Sequence, residues 1–115
     1  MVRVTARRSG TAPGSDLFLG LIVTGHANSA KSGEFDLVCA AVSAIAQSAV
    51  IGLEEHLHLN PEVHITEGYL SCVLSDEWDA STLQRASDIL AAAWYGLQAI
   101  GSQYPRYVAL SETYV

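Results

Sequence analysis

Val2, Val4 and Ala6 alternate with Arg3, Thr5 and Arg7, the period of two that marks a half-exposed strand. Residues 9–15, with Gly10, Pro13 and Gly14, read as a turn region. Residues 17–23 (Leu-Phe-Leu-Gly-Leu-Ile-Val) are apolar on both faces and predict a central strand that stops at Gly25 and His26. Residues 27–35 are small and polar without periodicity, which predicts a mobile loop. Asp36 then opens a long helix. Val38, Ala41, Val42, Ile45, Ala49 and Leu53 recur at three- and four-residue spacing as its buried stripe, and Asn60-Pro61 follows its end.

Val63 and Ile65 alternate with His64 and Thr66, Glu67-Gly68 makes a tight turn, and Leu70, Cys72 and Leu74 form the inner face of the returning strand. A second helix begins near Asp79 or Ser81, carries Leu83, Ala86, Leu90, Ala93, Leu97 and Ile100 on one side, and ends at Tyr104-Pro105. Residues 107–110 add a short edge strand. The expected architecture is a single α+β domain over residues 1–115. It has two layers, strand-strand-helix repeated twice, with a mainly antiparallel four-stranded sheet under two long helices.

Composition narrows the function. Of the 115 residues 50% are hydrophobic and 16% charged, enough apolar material for a core without disulfide staples. Twelve acidic side chains against six basic ones give a formal charge of −6, which repels a phosphate backbone, so no direct nucleic-acid partner is expected. Arg3, Arg7 and Arg8 are read as arginines on the wet face of the first strand. The apolar run at 17–23 is too far from Met1 for a signal-peptide core and far short of the roughly 20 residues that span a bilayer. The expected setting is the cytoplasm, with no membrane partner and with Cys39 and Cys72 as reduced thiols.

Chemistry concentrates between residues 25 and 43. On a helix, positions 36, 39 and 43 differ in direction by about 60° or less, so Asp36, Cys39 and Ser43 share a face, expected to be separate from the core stripe. A cysteine in the first turn of a helix, where the dipole favours an anion, is expected to have a lowered pKa. His26, at the end of the central strand, falls on the same edge of the domain and can serve as general base. Asp36 is expected to cap the helix or hold substrate. His56, His58 and His64, with Glu54 and Glu55, match no zinc-ligand spacing and are read as a solvated helix end. Cys72 is read as structural. Trp78, Trp94, Tyr95 and Tyr104 are read as core or dimer contacts.

Gly25-His26-Ala27, a Gly-containing loop, and then Asp36-Leu37-Val38-Cys39-Ala40-Ala41-Val42-Ser43-Ala44 resemble the signature of the bacterial ribosomal-processing cysteine proteases, the Prp family. The resemblance implies a Cys/His dyad of Cys39 and His26, substrate positioning by Asp36 and Ser43, and loop hinges at Gly25 and Gly33. It implies no metal or organic cofactor and a homodimer. The implied reaction removes a short N-terminal extension from a large-subunit ribosomal protein after an aromatic residue, by thiolate attack and thioester hydrolysis. The oxyanion is expected to lie on backbone N–H groups at the helix start, that of Cys39 included. Two other functions fit the residues: a non-catalytic ribosome-assembly or peptide-binding module using the same cleft, and redox sensing through Cys39 and Cys72.

Overall fold

A computed structural model describes residues 1–10, 17–25 and 33–115. His26, residues 27–32 of the expected loop and residues 11–15 of the expected turn region lie outside the described residues. The elements run β1 (Val2–Arg8), β2 (Phe18–Thr24), α1 (Glu34–Ile51), a π-helical turn (Gly52–His56), β3 (Glu62–Thr66), β4 (Tyr69–Val73), α2 (Ala80–Gln103) and β5 (Val108–Tyr114).

The strands form one five-stranded sheet in the order β3-β4-β2-β1-β5, with β2 in the middle as its two-sided apolar pattern requires. Val4 and Ala6 of β1 pair in register with Val23 and Leu21 of β2, and these with Leu70 and Cys72 of β4. That alternation turns one continuous apolar face toward the helices, where Val42, Ala46 and Leu53 meet Ala86, Leu90 and Leu97 in a single core. Asp79 caps α2 by accepting a 2.8 Å hydrogen bond from the Thr82 N–H.

Three expectations are corrected. The sheet has five strands and is mixed, because β5 runs to Tyr114 and lies parallel to β1 over seven residue pairs. Its inner positions continue past Leu110 as Glu112 and Tyr114, polar residues that hide the alternation. Their partner is the second correction. Arg8 is not on the wet face but only 4% exposed, the inner-face continuation of Val2, Val4 and Ala6. Its guanidinium stands 3.9 Å from the Phe18 ring centroid and 3.5 Å from Glu112, which also accepts from the Tyr114 hydroxyl. A buried arginine is tolerated only with such partners.

Third, α1 starts two residues early. Gly33 (φ +82°) is the residue before the helix, with no side-chain cap, so Asp36 is the third helical residue rather than the N-cap. Phe35 explains the shift: its ring packs edge-to-face on Tyr107 at 5.6 Å, extending the buried side back by one turn. Glu34–His56 is long and apolar enough, by length and composition, to cross a membrane. Here its inner side lies in the core with the sheet.

Candidate active site

Cys39, Asp36 and Ser43 lie on successive turns of α1. Asp36 and Ser43 are half-buried, while Cys39 is 7% exposed and belongs to the core cluster with Val38, Val42 and Ala46. The thiol face is therefore not separate from the core stripe; it is its edge. Ile45 is only partly buried and Ala41 is exposed, because the stripe centres on Val42, Ala46 and Leu53.

The electrostatics follow from this placement. The Cys39 thiol is raised from its ordinary range, first by burial and then by the neighbouring charge of Asp36, with the Met1 ammonium opposing. The expected lowering does not occur. Cys39 is the sixth residue of α1, beyond the first turn where unpaired N–H groups and the dipole act. For the same reason its N–H belongs to the intrahelical ladder, bonded four residues back, and is not available to an oxyanion. The free donors of this helix are those of its opening residues.

Gly25, the residue before His26, adopts φ +81° and donates its N–H to the Gly68 carbonyl at 2.9 Å. A Cβ there would fall 2.4 Å from the Met1 carbonyl oxygen, so both conformation and space require glycine. Gly33 has the same sign of φ and nothing within 4 Å of where a Cβ would stand. Sequence reasoning missed the frame around this corner. Tyr107 accepts the Val2 N–H at 2.7 Å through its carbonyl and holds Phe35 with its ring. Phe35 precedes the thiol by four residues, a readable helical neighbour; nothing in the sequence pairs it with Tyr107.

A hollow of about 330 Å³ opens beside the start of α1 between Glu34, Leu37, Val38, Ala41, Ile100 and Tyr104. A larger one of about 530 Å³, with Arg7, Leu19, Glu62 and Val73 on its walls, lies at the far end of the strands from Met1 and takes no part in this corner. Cys72 is fully enclosed and its pKa is pushed up to about 11 by burial and the charge of Glu54. Both cysteines are free and buried. Among the described residues no group of His, Cys, Asp and Glu could hold a metal ion.

These features define a two-layer α+β domain that presents a helix-borne thiol beside a glycine-locked strand end. The sequence profile of the family described as cysteine protease Prp matches residues 1–109, and the chain belongs to that family of hydrolases. Among solved structures, SMU.848 from Streptococcus mutans is similar, with 25% identity and a TM-score of 0.83, covering 100% of this chain and 96% of that one. The essential ribosomal processing protease Prp from S. aureus in complex with a substrate peptide has 21% identity and a TM-score of 0.79, covering 98% and 100%. The same protease with a covalently linked product peptide has 20% identity and a TM-score of 0.75 over the same shares. No curated protein matches the chain.

Proposed function

We propose that this chain is a cytoplasmic cysteine endopeptidase in which Cys39 is the nucleophile and His26 the general base, removing a short N-terminal extension from a large-subunit ribosomal protein after an aromatic residue. The observation that carries the assignment is a choice between two thiols. A cysteine protease needs one, the chain has two, and Cys72 is sealed in the inner face of the sheet. Cys39 sits instead in the Asp-x-Val-Cys-Ala segment, at the end of the sheet where Gly25 delivers the chain to His26.

Burial and the charge of Asp36 raise the Cys39 thiol from its ordinary range, so the proposal assigns removal of its proton to His26. His26 takes the Sγ proton as sulfur attacks the scissile carbonyl, then donates it to the leaving amine. Water activated by the same imidazole hydrolyses the thioester. Asp36 and Ser43 hold substrate, and Gly25 and Gly33 remain the proposed hinges, a role their positive φ supports.

A homodimer is part of the proposal. Residues 37–53 of the first helical segment and 89–103 of α2 carry no Asp, Glu, Lys or Arg, and their outer layer exposes Leu37 (72%), Ile51 (55%) and Tyr95 (54%). A chain of net charge −6 associates with itself most easily through an uncharged face.

The test is cleavage of a peptide bearing an aromatic-ended extension, followed by mass spectrometry. Cys39→Ala and His26→Ala are each expected to lower the rate at least about 10³-fold with folding retained. Undiminished cleavage by either variant removes the dyad. A wild-type chain that binds the peptide and leaves it intact is instead the peptide-binding module.

A further inference from the structure

Asp36 stands one helical turn before Cys39, at the i,i+3 spacing that makes helix side chains neighbours. It is half-buried, and among the described residues it has neither an ion-pair nor a hydrogen-bond partner. It caps nothing, since Gly33 occupies that position. A carboxylate there is a liability for a sulfur that must become an anion.

Among the described residues, two charges act on the thiol. Asp36 opposes ionisation from its own helix, and the Met1 ammonium favours it from the edge of β1. Among the described residues, Glu34 in the first turn, Glu67 beside the Gly68 carbonyl that receives Gly25, Arg3 opposite Thr24 and Arg106 over Tyr107 also carry charge at this end of the sheet.

We infer that Asp36 is a charge brake on Cys39, released when a lysine or arginine side chain of the bound peptide pairs with its carboxylate. The inference rests on Cys39 being the nucleophile and names a feature of its substrate: a cationic residue close to the scissile bond. In the free protein the carboxylate adds to burial in keeping the proton on sulfur and protects the thiol from stray electrophiles. In the complex the cation cancels that field, and the proton passes from Sγ to the His26 imidazole. Reactivity thereby follows occupancy by the right peptide.

Two measurements test this. Alkylation by iodoacetamide forms an Sγ–CH₂ bond with loss of iodide, and Cys39→Ala supplies the blank. Asp36→Asn is expected to speed alkylation of the free protein about three- to tenfold at pH 7 and to move the rate-against-pH midpoint to lower pH. An unchanged or upward-moving midpoint overturns the brake.

The second measurement compares peptides that differ only by lysine or glutamine at each position flanking the cut. The wild type is expected to favour one lysine peptide about tenfold in kcat/KM, and Asp36→Asn to lose that preference to within about twofold. A preference that survives in Asp36→Asn overturns the cationic substrate contact. Alkylation reads the Asp36–Cys39 coupling without any cleavage, so cleavage by Cys39→Ala would remove the protease reading and leave the brake standing.

Discussion

The two thiols differ in what surrounds them, and that difference is measurable. Cys72 pairs across strands with Leu21 and Val63, and its pKa of about 11 lies above the ordinary value of 9.0. A thiol that keeps its proton longer when folded contributes stability that is fully present below the ordinary value. It is lost as pH rises through the 9–11 window, because the unfolded chain ionises first. The alkaline loss attributable to Cys72 is expected to be on the order of 2 kcal/mol. Urea unfolding at pH 8 and pH 11, for wild type and Cys72→Val, checks it: the variant should lose less on the alkaline side. Cys39 follows the same sign, and its proximity to Asp36 was readable from helical phase. Its burial was not, because three- and four-residue spacing places a residue on a face without saying where the neighbouring layer ends.

Elements whose sidedness is forced by the core were the ones sequence could locate. β1, β2, β4 and both helices show their periodicity because each buries one face against a common layer, whereas β3 sets only Val63 against it and leaves Ile65 exposed. The start of α1 and the length of β5 escaped for separate reasons. A glycine before a helix supplies no capping side chain to recognise. Glu112 and Tyr114 look like surface residues until the buried Arg8 opposite them is known. The start of α2, by contrast, was legible near Asp79 or Ser81, and Asp79 takes the cap. Its hydrogen bond from Thr82 lowers its pKa below the ordinary 3.8. The stabilisation is therefore present at neutral pH and fades as acid protonates the folded carboxyl. Asp79→Ala is expected to melt below wild type at pH 7, with the gap closing below pH 3.8; thermal unfolding followed by circular dichroism across that range checks it.

At the scale of the molecule, the helices cover one side of the sheet, and residues 37–53 and 89–103 give their outer layer a stretch without charged side chains. Ile51→Lys combined with Tyr95→Lys is expected to shift sedimentation toward the monomer while leaving the circular dichroism spectrum intact. A wild type that sediments as a monomer at high concentration would remove the dimer.

The pairing of β5 with β1 also bears on how the molecule is made. Thr5 and Ser111, joined through their hydroxyls at 3.3 Å, are 106 residues apart in the chain, and seven such pairs form one edge of the sheet. Contacts between such distant residues close the largest loops a chain of this size can form, which slows the folding search. During synthesis β1 and β2 can pair early. The outer edge of β1 then stays open, with its backbone groups unmatched, until the strand after α2 has left the ribosome. An intermediate with an open edge is prone to pair with another chain. The final seven-residue strand is thus a stopper as much as a support, and refolding from denaturant should reach its highest yield in dilute solution.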